Sequence, residues 1–326
     1  MVHSIGVVLA TYNGEKFIAE QLESIIHQSL KPDVLVVVDD SSTDATARII
    51  EKYRERHDFI RLYRNTTNIG YIKNFEKGIS LCGTEYIALS DQDDIWYANK
   101  LERMYQELSS RPCAGLCYHN SALMNEGGQK IAPLLWELID INHPLSREEG
   151  LSVLLNMSAP IAGSSILFHK CLKEHIIPFP GSKYCGHDWW ICAIAFFLFD
   201  PVSIESPLSI YRLHKNQVSG AADLLLSSTP YAIKKRIFDI NRIKKNVNRE
   251  IYRFFNRKKI HRQRIEDTRQ RLLEFDKAFR RLKIIVEESI GVVEESKKAN
   301  IVQIVNGKIG VLNDEILKMA DKLLKT

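Results

Sequence analysis

The chain of 326 residues lacks several signatures that would assign it to a common function class. No GxGxxG follows its first apolar run and no GxxxxGK[ST] occurs anywhere, which argues against a Rossmann dinucleotide site and against a P-loop. Cysteine is sparse: Cys82, Cys113, Cys117, Cys171, Cys185 and Cys192 are scattered with no paired CxxC. That spacing argues against a zinc site, and thiols lying in apolar runs read as reduced. No apolar run approaches the ~20 residues that span a bilayer; the longest, Ile191 to Phe199, reads as a buried helix or strand. Val2 to Ala10 is too short for an export signal and lacks a basic flank. The expectation is a reduced, cytoplasmic protein.

Charge is unevenly distributed. Residues 1–230 carry 20 Lys+Arg against 27 Asp+Glu, a net of −7, whereas residues 231–326 carry 25 against 13, a net of +12. The shift divides the chain into a first domain, residues 1–220, and a basic, mainly helical C-terminal region, residues 221–326. Between Lys234 and Arg264, 13 Lys+Arg stand against only Asp239 and Glu250. Ile237, Ile240, Ile243, Val247, Ile251, Phe254 and Phe255 recur there at three- to four-residue steps, the pattern of a basic amphipathic helix. Two readings stay open. In one, residues 234–264 lie on an anionic membrane surface, where each basic side chain adds about 1 kcal/mol. In the other, the apolar face packs on the first domain or on a second copy in a homo-oligomer. No nucleic-acid partner is expected, because no recognised binding module surrounds the basic patch.

What the first domain contains is an alternation of apolar runs and helical patterns. Ile5 to Ala10, Val34 to Val38, Ile60 to Tyr63 and Tyr86 to Leu89 read as strands. Between them, Ile18, Leu22, Ile25 and Ile26, then Ile49, Ile50 and Tyr53, then the stretch from Ile72 to Leu81, read as helices, with Ser42 or Thr43 capping the second. Such alternation predicts an α/β fold, a mostly parallel sheet wrapped by helices. Three of the strands end in polar turns: Thr11-Tyr12-Asn13, Asp39-Asp40-Ser41-Ser42 and Asp91-Gln92-Asp93-Asp94. In a parallel sheet those ends share one edge, where ligands gather. Three acids within four residues repel one another, and a hard divalent cation shared with phosphate oxygens is the usual remedy.

Further on, the spacing predicts a helix over Lys100–Leu108, a strand over Leu116–His119, a hairpin turn over Asn125–Lys130, an irregular loop over Leu134–His143 and a helix over Arg147–Asn156. A loop and strand follow in "APIAGSSILFHK". Asp188, after Gly186 and His187, opens an apolar helix as either a cap or a functional carboxylate. Pro201–Glu205 and Leu208–Arg212 read as two strands, followed by "YRLHKNQVSG".

Four stretches, "ATYNGEKFIAEQLESIIHQS", "VVVDDSSTDAT", "NIGYIKNFEKG" and "SDQDDIW", together resemble the family-two inverting glycosyltransferases of the GT-A fold, and "SDQDDIW" resembles their bacterial rhamnosyltransferase branch. The resemblance covers Ile5 to about Gly220. It implies a donor half over about residues 1–97 and an acceptor half over about 98–220. It implies a nucleotide-diphosphate donor, dTDP-rhamnose or a UDP-sugar, with Mg²⁺ or Mn²⁺ as cofactor and a glycan or lipid-linked acceptor. By resemblance, Tyr12 flanks the nucleobase with Thr11 and Asn13 in the same pocket, Asp40 bonds the base with Asp39 beside it, and Lys73 sits near the base or diphosphate. Asp91 is directed at the ribose and Asp93 at the metal, with Asp91 and His214 as further metal ligands and Asp94 behind them. Arg212 and Lys215 offset the leaving group's charge. Gly163 lies under the sugar and acceptor, His187 and Trp189 contact the acceptor, and Asp188 is the general base. Trp189 and Trp190 divide between stacking on a sugar and anchoring their helix. Read without a catalytic step, the same features describe a nucleotide-sugar-binding or scaffolding protein recruited to membrane or partners by its basic tail. Nucleotidyltransferase chemistry also uses acidic metal sites, but the first turn lacks the Gly-rich, Lys/Arg-bearing pattern it would need.

Overall fold

The four apolar runs of the first ninety residues become one parallel block of sheet. A computed structural model describes residues 4–111, 114–139, 144–146, 149–150, 161–179 and 186–214. The expected helix over 147–156 falls almost entirely outside them, and Lys215 and the basic region 221–326 fall wholly outside. The chain divides into a unit of Met1–Leu145, Ala159–Phe179 and Gly186–Ala222, which holds every element below, and a second unit of Ser146–Ser158, Pro180–Cys185 and Asp223–Thr326.

Strands β1 (Ile5–Thr11), β2 (Val34–Asp39), β3 (Ile60–Arg64) and β4 (Tyr86–Ser90) pair in parallel in the order β3-β2-β1-β4. Helices α1 (Ile18–Ile26), α2 (Thr46–Arg54) and α3 (Tyr71–Leu81) make the crossovers. Strands β1, β2 and β4 are buried on both faces, as their near-continuous apolar composition requires, whereas the edge strand β3 is largely exposed. Beyond β4 the pairing is mixed. The short β5 (Ile95–Trp96) runs antiparallel to β9 (Val202–Leu213), β6 (Leu116–Asn125) lies parallel to β9, and β8 (Ile166–His169) joins β4 and β6 antiparallel to both. β7 (Lys130–Ile131) closes the expected hairpin on β6. Helix α4 (Lys100–Ser109) precedes β6. The short α5 (Leu135–Leu138) falls within the stretch expected to be irregular. Helices α6 (Lys170–Ile176) and α7 (His187–Leu198) follow β8.

Three expectations are corrected. The two strands over 201–212 are one, β9, because Pro207, which cannot donate to a ladder, is absorbed by register shifts opposite His119–Ser121 rather than ending the strand. Strand β6 runs six residues past His119. Its polar centre is buried and paired, with Ser121 Oγ 3.0 Å from Ser209 Oγ, so polarity did not mark a strand end. Helix α2 is not capped by Ser42 or Thr43. It begins at Thr46, whose N–H donates to Asp44 Oδ1 at 2.9 Å, while Ser42 is committed to Asp39.

Helix α3 lies directly on β1 and β2, and Gly78 is what lets it approach. A Cβ at Gly78 would collide with Val8 Cγ1 and sit 3.2 Å from Val38 Cγ2, both on buried strands that cannot retreat. We expect Gly78→Ala to destabilise the fold by about 1–3 kcal/mol through overpacking, read from chemical denaturation; an unchanged midpoint would contradict this packing.

Candidate active site

Because β1, β2 and β4 are parallel neighbours, their C-terminal ends bring Thr11, Asp39-Asp40 and Asp91–Asp94 to one edge. The first two turns are stitched together. Thr11 Oγ1 donates to Asp39 Oδ1 at 3.0 Å, and buried Asp39 also accepts from the Ser42 N–H at 3.1 Å, with Arg64 Nε 3.5 Å away. Asn13 holds a left-handed backbone (φ 47°), its N–H donates to Ser42 Oγ at 2.9 Å, and its Oδ1 accepts from the Thr43 N–H at 2.8 Å. Tyr12, at 46% relative exposure, presents its ring to the crevice rim.

Asp40 is buried and fully engaged. Its Oδ1 accepts from Asn65 Nδ2 at 2.7 Å and from the Ile69 N–H at 2.9 Å, and its Oδ2 accepts from the Gly70 N–H at 2.8 Å. The carboxylate therefore shapes the loop that enters α3, where Gly70 (φ 84°) turns the chain through a conformation that favours glycine. Lys73, one turn into α3, is partly exposed and paired with Glu76 at 2.8 Å.

The acidic turn after β4 is clamped to the first turn by Gln92, a residue the sequence analysis passed over. Gln92 Oε1 accepts from the Tyr12 N–H at 2.9 Å and Nε2 donates to Tyr12 O at 3.0 Å. Asp93 Oδ2 lies 2.8 Å from His214 Nε2. Asp94 is buried: its Oδ1 accepts from the Arg212 N–H at 3.3 Å, and its Oδ2 has no hydrogen-bond partner. The Arg212 side chain reaches across from β9, with Nε donating to Asp93 O at 2.9 Å, an ion pair to Glu20 and the guanidinium 4.5 Å from the Phe17 ring centroid.

A second residue missed from the sequence is Lys100, which opens α4 and has no exposed surface. Its Nζ donates to Ser164 O at 2.5 Å and lies 3.7 Å from the Trp96 ring centroid. Nothing in "YANK" distinguishes it from a surface lysine. Its burial shows only once the acidic turn and the Gly163–Ser165 turn close over it. Burial pushes Lys100 well below the usual lysine range, while the Asp94 and Asp91 charges pull it back up. Burial, then the charges of Asp93, Asp94 and Asp188, hold the Asp91 carboxyl well above its ordinary range. Burial and Asp93 push Asp94 up to about 7.

The Asp188 charge acts on Asp91, which sets the start of α7 beside the acidic turn. Gly186 flanks that helix and Asp188 is its second residue, so Asp188 is not the cap that one reading of the sequence allowed; its Oδ1 accepts from the Trp189 N–H at 2.7 Å. Burial raises its carboxyl to about 6. A Cβ at Gly163 would lie 2.5 Å from His187 Nε2 and 3.4 Å from Asp188 Cβ, so the bare glycine is what admits the start of α7. His187 is buried. Trp189 and Trp190 are both buried too, with Trp190 Nε1 donating to Ile176 O at 2.9 Å, so both anchor the helix and the expected stacking of Trp189 on a sugar is corrected. Among the described residues, no group of three or more His, Cys, Asp or Glu side chains forms a ready-made metal site, and no helix is long and apolar enough to cross a membrane.

A carboxylate-lined crevice at the C-terminal edge of a parallel block, continued by a mixed sheet, defines an α/β protein of the GT-A class. The chain belongs to glycosyl transferase family 2, which it matches over residues 6–174. A dTDP-rhamnosyl transferase of Shigella flexneri, RfbG, is 40% identical over 229 residues, covering 65% of this chain and 74% of that protein. An uncharacterised protein of Mycobacterium tuberculosis is 35% identical over 224 residues, 67% of this chain; the chain matches 61% of that relative's length. The mannosyltransferase PcManGT of Pyrobaculum calidifontis, solved with GDP-Man and Mn²⁺, shares the fold at a TM-score of 0.52 and 16% identity, over 98% of this chain and 84% of that one.

Asp40 accepts from two backbone N–H groups, those of Ile69 and Gly70, and the second is shared with Asn68 Oδ1 at 3.1 Å. We expect Asp40→Ala to destabilise the protein by about 2–3 kcal/mol, from stranded donors, and to weaken nucleotide binding by loosening the entry to α3. Calorimetric unfolding with and without a nucleoside diphosphate reads both; an unshifted transition would contradict this role.

Proposed function

We propose that this chain is a metal-dependent inverting glycosyltransferase that moves L-rhamnose from dTDP-rhamnose to a hydroxyl of a cell-surface glycan or lipid-linked acceptor. The observation that carries the reading is the pairing of a crowded acidic turn with Asp188, a buried carboxyl raised to about 6 on the neighbouring helix. The likeness to a dTDP-rhamnosyl transferase supports the donor.

The residues divide the work as follows. Tyr12 flanks the nucleobase, and Thr11, Asn13, Asp39 and Asp40 hold the shape of its pocket. Asp91 faces the ribose. Asp93 and His214, adjacent at 2.8 Å, would hold an Mg²⁺ or Mn²⁺ ion, with Asp91 at its edge. The donor set fits: carboxylate oxygen and one imidazole nitrogen suit these ions, and a side-chain set too small to cage a cation leaves places for diphosphate oxygens. When bound, the ion offsets charge on the departing diphosphate. Arg212, whose Nε bonds Asp93 O, adds fixed positive charge beside the acidic turn, and Lys73 and Lys215 keep the donor-binding roles that the resemblance implies. Asp188 accepts the proton of the acceptor hydroxyl as that oxygen attacks the anomeric carbon; the new C–O bond forms as the bond to the diphosphate oxygen breaks, and dTDP leaves. The assignment to the cytoplasmic side, and to the membrane through residues 234–264, rests on sequence alone.

Because Asp188 must be ionised to accept the proton, transfer is expected to rise with pH and level off above about 6. Asp188→Asn should lower turnover by about 10²–10⁴ while leaving donor affinity near wild type. Transfer rates and donor binding of wild type and Asp188→Asn across pH read all three, and a donor screen with Mn²⁺, Mg²⁺ and a chelator control reads the sugar and the metal. Tight binding of a sugar nucleotide without turnover would reassign the chain as a binding protein, and undiminished transfer by Asp188→Asn would remove the base.

A further inference from the structure

Lys100 is a charged side chain in a place that charge avoids. It has no exposed surface, and lysine is almost never fully buried unless an opposite charge answers it. Its two close contacts carry no negative charge: Nζ donates to Ser164 O at 2.5 Å and lies 3.7 Å from the Trp96 ring centroid. Both nevertheless favour the ammonium, since a carbonyl oxygen accepts and the face of an indole attracts a cation. The charges that answer Lys100 are those of Asp94 and Asp91, which act on it through space. Asp94 is buried with it, and Asp94 Oδ2 has no hydrogen-bond partner, so that oxygen relies on a nearby positive charge. The acidic turn thus holds a cation on its interior side. Its rim differs: Asp93 and His214, with 18% and 9% of their side chains exposed, meet there at 2.8 Å.

We propose that Lys100 is a positioning residue that sets the acidic turn's affinity for a divalent cation, as a resident positive charge that holds the carboxylates together and competes with the ion for them. The inference rests on the reading of Asp93 and His214 as a cation site given above. A fixed charge of this kind has two consequences of opposite sign. It stabilises the protein without metal, because the carboxylates of the turn are partly neutralised. It also weakens the hold on Mg²⁺ or Mn²⁺, because the ion meets a turn whose charge is already partly offset. A lysine acting only as packing, or only as a tie to Ser164, would have effects of one sign: its loss would lower stability and metal affinity together.

The test is a double-mutant cycle on Lys100→Met and Asp94→Asn, read by thermal unfolding and by Mn²⁺ binding, with the metal alone and with a bare nucleoside diphosphate. Methionine keeps an unbranched apolar stem and removes the charge. Lys100→Met is expected to melt lower than wild type without metal, yet to bind Mn²⁺ about tenfold more tightly. Added Mn²⁺ should therefore raise its melting temperature more than it raises that of wild type. Asp94→Asn removes the matching negative charge. The double variant should then melt closer to wild type than Lys100→Met does, and its Mn²⁺ affinity should return to within about threefold of wild type. If Lys100→Met alone does not fold, the same charge balance predicts that the double variant does; a double variant that also fails to fold overturns the proposal. So does a melting loss that Asp94→Asn leaves uncorrected. Absence of Mn²⁺ binding by wild type, with and without the diphosphate, refutes the cation-site reading and the inference with it. Mn²⁺ binding by wild type that Lys100→Met weakens or leaves unchanged refutes the inference alone.

Discussion

Crowded carboxylates repel one another, and in this molecule four of them gather: Asp91, Asp93 and buried Asp94 on one turn and buried Asp188 on the helix beside it. Much of the surrounding structure answers that repulsion. Lys100 is drawn into the interior beneath the turn, Arg212 crosses from β9 to its backbone, and His214 closes on Asp93. The compensation is incomplete at Asp94, which burial and Asp93 push up to about 7, while burial raises Asp188 to about 6. Both bind protons more tightly folded than unfolded. Their contribution to stability is therefore present below the ordinary carboxylate range and is lost as pH rises through those values. At neutral pH the cluster burdens the fold.

The two halves of the site are mechanically continuous. Asp40 anchors the Gly70 N–H, Gly70 turns the chain into Tyr71, Tyr71 edges His187, and His187 precedes Asp188. Gln92 ties the acidic turn to Tyr12, and Lys100 ties it to the Gly163–Ser165 turn that admits α7. A geometry held by bonds between turns, rather than within each turn, keeps reacting groups registered while the rim side chains remain exposed.

The strand–helix alternation, and the gathering of Thr11, Asp40 and Asp91 on one edge, were legible because apolar runs and polar turns carry local signals. That the acidic turn and Asp188 come together was legible only by resemblance, and the partners that surround them were not legible at all. Lys100 and Gln92 are distant-contact residues whose sequence neighbourhood looks like ordinary surface. Pro207 misled because a proline inside a strand reads as a break, and only the partner strand's register reveals a bulge. Trp189 misled because an aromatic after a candidate base suits a sugar platform as well as a core, and only burial separates the two. Asp40 shows a subtler gap: sequence suggests a carboxylate facing a base, whereas its oxygens are already taken by the loop it organises.

The central claim is that one carboxylate, Asp188, acts opposite the diphosphate in a single displacement. The stereochemistry of the product tests it most directly. Proton NMR of the newly formed glycoside, set against the donor, should show the opposite anomeric configuration from the first turnover onward. A product that retains the donor's configuration would require a second displacement through a covalent intermediate and would contradict the account.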